Sequence, residues 1–136
     1  SLSFSHSDKG NCYFSGYTDS FTYMYQTMDL TLYTTQIDAN RVTYKLSAWL
    51  GGWDAQDDHA TMWIEFVSSS NATLTNATIT PILAVDRANV SQLLYREITG
   101  NVPINTRSAT LFVSMTANTF WNDGSVDDIA FQLSYT

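Results

Sequence analysis

Two short stretches concentrate the residues able to do chemistry. GGWDAQDDH (51–59) carries Trp53, Asp54, Asp57, Asp58 and His59, and NTFWNDGSVDD (118–128) carries Trp121, Asn122, Asp123, Asp127 and Asp128. Together they hold six of the chain's 13 acidic residues. Carboxylates crowded in this way repel one another unless a cation, an arginine or backbone amides compensate. Calcium takes roughly six to eight oxygen ligands, so acidic loops suit it, although the spacing is not that of an EF-hand. Asp127 shares parity with Ile129 and Phe131, which points it inward at the edge of the core and makes it the metal candidate. Asp128 then faces the other way. The plainer reading is a solvated acidic turn, with Asp127 accepting backbone amides. Two tryptophans in polar loops are hard to explain as core, whereas rings among Asp and Asn match a small sugar or peptide site. Trp53, Asp54, Asp58, Trp121, Asn122 and Asp123 are therefore the candidate ligand contacts.

A second constellation, Tyr33, Trp49, Trp63 and Phe112, falls opposite the aliphatic faces, beside Lys45, Glu65 and Gln132. Sugar rings present flat C–H faces that stack on such rings. Packing under the aromatic segment FSGYTDSFTYMY is the favoured role for Trp49 and Trp63. Catalysis has little to build on, and a non-enzyme is expected. His6 and His59 are the only imidazoles, and no nucleophile elbow or Gly-rich phosphate loop is present. The only glutamates, Glu65 and Glu97, lie on different strand candidates, unlike the paired carboxylates of a glycosidase. Arg87, Arg96 and Arg107 read as structural, tying turns and strands through carboxylates and carbonyls.

The elements that must position these residues alternate with period two. QTMDLTLYT places Met28, Leu30 and Leu32 on one face; VTYKLSAWL places Val42, Tyr44, Leu46, Ala48 and Leu50 together; ATMWIEFV does so for Met62, Ile64 and Phe66. TLFVSMT gives Leu111, Val113 and Met115, and IAFQLSY gives Ile129, Phe131, Leu133 and Tyr135. Polar opposite faces on five such segments mean antiparallel sheet. ATITPILAV and SQLLYREI are less regular strands, the second also readable as a short helix. GG at 51–52, SSSNAT, TGNVPIN and NDGS mark turns. The expected fold is all-β: one antiparallel sandwich of jelly-roll topology over residues 1–136.

Composition narrows the partners. A net charge of −7 with six scattered cations argues against nucleic acid and anionic membrane surfaces. No apolar run approaches the roughly 18–20 residues of a membrane-spanning helix, so no membrane insertion is expected. Sequons at Asn71, Asn76 and Asn89 fit an extracellular, secreted or cell-surface glycoprotein. The lone Cys12 has no internal partner; it is free or reserved for a partner domain or disulfide partner outside this stretch.

YKLSAWLGGWDAQDDHATMWIEF, the later DR, TGNVPINTRSATLFVSM and the terminal NDGSVDDIAFQL resemble galactose-binding-domain-like β-jelly rolls, a fold shared by carbohydrate-binding modules. The resemblance covers about residues 25–135. It implies that the closing strand lies antiparallel to the LSAW strand, so that the two acidic loops share one end. The family's opening Asn-Gly-x-Phe-Glu strand, which often helps to bind a structural calcium, has no recognisable counterpart in SLSFSHSDKGNCYFSGYTDS. The resulting expectation is a non-catalytic glycan-binding module or lectin, with calcium as the candidate cofactor and glycans or glycoproteins as partners. The competing expectation is a cell-surface adhesion domain that binds a protein.

Overall fold

A computed structural model describes residues 12–118 and 120–136; His6 and Lys9 lie outside them. Eight strands follow in order: β1 (Phe14–Tyr17), β2 (Phe21–Asp29), β3 (Val42–Gly52), β4 (His59–Ser68), β5 (Thr73–Ile79), β6 (Gln92–Asn101), β7 (Thr106–Thr116) and β8 (Asn122–Tyr135). They form two four-stranded sheets, β1-β8-β3-β6 and β2-β7-β4-β5, with every pairing antiparallel. The chain crosses from one sheet to the other at every connection except the β4–β5 hairpin, which is the topology of a jelly roll.

The inward sets read from the sequence meet between the sheets. Leu46, Ala48 and Leu50 face Met62, Ile64 and Phe66, with Val113 and Met115 beside them, and all are buried. The Phe66 ring lies 4.9 Å from that of Tyr44. Ile37, on the short helix α1 (Thr34–Asp38), closes the end far from the acidic loops. SQLLYREI is strand, within β6. β3 and β8 pair antiparallel as implied, from Val42 opposite Tyr135 to Gly51 opposite Ser125.

Three local readings need correction. The alternation in QTMDLTLYT stops at Asp29, whose Oδ1 accepts the N–H of Thr31 at 2.9 Å. This side-chain turn breaks the strand. Thr31–Tyr33 then form a 3₁₀ turn, and Leu32, assigned to the inner face, is 89% exposed. The glycines 51 and 52 are the last residues of β3 rather than a turn. In β8, Trp49 pairs with Asp127 and Ser47 with Ala130, so three steps on β8 oppose two on β3. Asp128 occupies this bulge with φ 52°. The bulge reverses the side-chain parity. Val126 and Ile129 both turn to the core, and Asp127 joins Trp49 on the outer face, against the inward orientation expected of it.

FSGYTDSFTYMY does not cover a sheet. It supplies β1 and β2, an edge strand for each. The α1 end is tied down by Arg107, which donates to Asp38 Oδ1 at 3.1 Å and Oδ2 at 2.7 Å. Those bonds, with the Asn105 N–H, hold the Asp38 carboxyl below its usual value of 3.8. A carboxylate with a lowered folded-state pKa stabilises fully above the unfolded value, and the effect is lost as pH falls through the folded one. The midpoint difference between wild type and Asp38→Asn should therefore be constant near neutrality, begin to shrink as pH approaches about 3.8, and vanish only below the lowered folded-state value in a series of thermal melts.

Candidate functional site

The two acidic loops do share one end. Asp58 is 0% exposed and accepts the N–H of Asn118 at 2.6 Å and that of Asp123 at 3.2 Å, which locks one loop to the other. Asn122 is also fully buried. It donates to the carbonyls of Asp19 and Met115, both at 2.9 Å, and its Oδ1 accepts the Gly124 N–H at 3.3 Å. Asp58 and Asn122 are thus fastenings of the loop end and cannot face a ligand, contrary to their place among the candidate contacts. The others reach the surface: Trp53 is 40% and Trp121 52% exposed, Asp54 is exposed, and Asp123 is half-buried. Burial, and secondarily the charge of Asp58, push the Asp123 carboxyl above its ordinary range.

The acids of this end have their compensation inside the protein. Asp57 Oδ1 accepts the Ala84 N–H at 2.9 Å, and Asp127 Oδ1 accepts the Asp128 N–H at 2.8 Å. The Arg87 guanidinium lies among the carbonyls of the first loop. Among the described residues no three His, Cys, Asp or Glu side chains converge to hold a metal ion.

Rings gather where the sequence pointed only in part. Trp121 makes edge-on contacts with Tyr17 (centroids 5.9 Å) and Phe120 (5.8 Å). Both partners are strongly exposed. From the same end a ladder descends edge strand β2. Phe21, Tyr23 and Tyr25 point outward, Phe21–Tyr23 centroids are 6.2 Å apart, and Tyr23 and Tyr25 are stacked at 6.5 Å and 17°. It turns across the sheet through Phe112, 6.0 Å from Tyr25, to Trp63, stacked on Phe112 at 4.9 Å and 7°. Tyr25 is 65% exposed, whereas Phe112 and Trp63, whose faces cover each other, are half-buried. The open ring faces are therefore those of β2. Their signal was present in FTYMY, where aromatics occupy alternate positions, but the segment read as a cover rather than as a strand.

The other expected rings lie apart. Trp49 sits on the opposite sheet, 5.7 Å from Tyr95, whose hydroxyl donates to Glu97 at 2.7 Å; Lys45 stands 3.9 Å from the same carboxylate. Tyr33 packs on Tyr135 at 5.8 Å. Glu65 and Glu97 belong to different sheets. The sequon asparagines Asn71, Asn76 and Asn89 are all exposed, as is Cys12. No helix among the described residues is long and apolar enough to cross a membrane.

The strand order defines the class: an eight-stranded β-jelly roll of the kind found in carbohydrate-binding modules. Among solved structures, the chain is similar to the family 16 carbohydrate-binding module-2, with TM-score 0.59 and 16% identity over 92% of this chain and 79% of that one. It is similar to TmCBM61, solved in complex with β-1,4-galactotriose, with TM-score 0.52 and 14% identity over 95% of this chain and 74% of that one. The enzymatically active domain of bacteriophage CBA120 tailspike protein 4 also shares the fold, with TM-score 0.58 and 11% identity over 84% of this chain. The chain spans only 14% of that tailspike chain. No protein-family description matches the sequence, and no curated protein matches it either. At these identities the likeness establishes the fold alone.

Proposed function

We propose that the chain is an extracellular, non-catalytic glycan-binding module that holds saccharide rings against its exposed aromatic residues. The observation that carries this reading is the β2 ladder, where Tyr23 and Tyr25 lie nearly parallel and more than half exposed on a rigid strand. Rings fixed by a sheet lose little freedom on binding, which favours affinity. The Tyr17–Trp121–Phe120 group, with Trp53, Asp54 and Asp123 at the same end, offers hydroxyl-binding carboxylates beside further ring faces. The likeness to two carbohydrate-binding modules supports the reading, as do the three exposed sequon asparagines for an extracellular setting.

A broad glycan array is the decisive experiment, followed by titration of the best binder with tryptophan fluorescence. Tyr23→Ala or Tyr25→Ala should each weaken binding by about tenfold, or ~1.4 kcal/mol, without moving the thermal midpoint by more than a degree or two. Trp121→Ala should abolish the fluorescence response if the sugar reaches the loop end. A flat array would remove the glycan reading. It would favour protein recognition through the same exposed rings, whose residue types are those enriched in protein interfaces.

A further inference from the structure

Arg87 is the least expected residue in the fold. It ends a 3₁₀ turn (Val85–Arg87), is 0% exposed, and is the largest fully buried side chain described. Arginine is almost never buried so completely without partners. Here the partners are main-chain oxygens. Nη1 donates to the carbonyls of Gly52 at 3.1 Å, Asp54 at 2.9 Å and Val90, and Nη2 donates to that of Gln56 at 2.7 Å. Nε finds no acceptor among the described residues, so the two terminal nitrogens carry the whole cage. Burial pulls the guanidinium below its ordinary pKa, while Asp57, Asp54, Asp58 and Asp86 act in the opposite direction. Arginine stays protonated under such perturbation.

The cage joins two loops. Asp54 N–H donates to Ser91 Oγ at 2.9 Å, and the Gln92 side chain donates to the Arg87 carbonyl at 3.0 Å. Ala88 and Asn89, directly after Arg87, both adopt left-handed backbone, φ 53° and 58°. Alanine does so at a cost of about 1 kcal/mol, and such conformers persist where surrounding contacts over-determine them. Converging carbonyls with carboxylates behind them are also the ligands that a hard divalent cation uses.

We propose that Arg87 is a built-in cation. Its tethered guanidinium organises the loop end in the way a bound calcium ion organises oxygen-lined loops, and it makes that end independent of metal. Arg87 is thus a positioning residue for the loop that presents Trp53 and Asp54. The vacated cage of an Arg87→Ala variant is a site for a divalent cation of calcium's size.

Thermal melts test this in two arms. The wild-type midpoint should be unchanged by chelator or by millimolar calcium; a fall on chelation would overturn the proposal. Arg87→Met should lower the midpoint by about 10 °C or more, because four carbonyls lose their donor and the acids their counter-charge. Arg87→Lys, which keeps the charge but not the fork, should fall between. Calcium, and magnesium less so, should raise the Arg87→Ala midpoint, reversibly with chelator. A Met variant as stable as wild type, or an Ala variant indifferent to calcium, would refute the idea. Should the Ala variant fail to fold, the ordering of wild type, Lys and Met, with the chelator arm, still decides.

Discussion

Asp58→Ala should lower the stability of this protein by about 3–5 kcal/mol, visible as a reduced urea midpoint with an unchanged m-value. The carboxylate is wholly buried and accepts two main-chain amides from the neighbouring loop, at 2.6 and 3.2 Å. Truncation leaves the Asn118 and Asp123 amides without their acceptor at a part-buried junction of the two loops, and each donor left unpaired costs up to about 1–3 kcal/mol. It also removes a negative charge close to the buried Arg87. Asp58→Asn keeps the shape and one acceptor oxygen, so it should recover part of the loss. The sequence placed Asp58 among ligand contacts, and that role predicts the reverse pattern: an intact midpoint and altered saccharide binding. A normal urea curve for Asp58→Ala would show that the amide bonds do not hold the loops.

Gly51→Ala should be at least as damaging, at about 3 kcal/mol or more. A Cβ at Gly51 would lie 2.0 Å from the Gln92 carbonyl oxygen, 2.9 Å from its carbon and 3.0 Å from Leu93 Cα. All three are backbone atoms of the paired strand, so no side chain can swing aside. β3 and β6 must separate where they frame the Arg87 cage, or the variant must remain unfolded. Amide hydrogen exchange reads this directly: protection should collapse first from Leu50 to Gly52 and across β6 at Gln92–Leu94. Thr43→Ala, at an exposed position of the same strand, is the control and should change little. Unaltered protection in Gly51→Ala would mean that the strands can shift apart without cost.

These two residues also show how far the sequence could be read. Alternation located β3, β4 and β7 and their inner faces, because a half-buried antiparallel strand writes its orientation into every second residue. It failed where one residue changes the phase. Asp29 folds back on its own backbone and ends β2, and Asp128 inserts a bulge into β8; neither event leaves a hydrophobic signature. Paired glycines read as a turn because their common use is conformational, whereas here they admit a neighbouring backbone. The acidic loops were brought to one end as the resemblance implied. Which of their side chains point to solvent depends on tertiary bonds, such as those of Asn122, that no local pattern encodes. Arg87 was legible as structural, but not as the centre of a cage, because its acceptors are main-chain oxygens, which every residue possesses.

The bulge at Asp128 has a consequence for how this chain can change. It divides β8 into two segments of opposite phase: one, up to Asp127, serves the loop end with its rings; the other, from Ile129 onward, closes the core toward α1. Substitutions within either segment are read by the usual alternation, and each segment keeps its own. A change in length is different. Loss of Asp128 itself would restore unbroken alternation, with Val126 in, Asp127 out and Ile129 in, whereas loss of one residue inside either segment would exchange core for surface beyond that point. For β8, the number of residues on each side of the bulge is under tight constraint, and the bulge itself is the one place where a residue can be lost without disturbing the phase of either half.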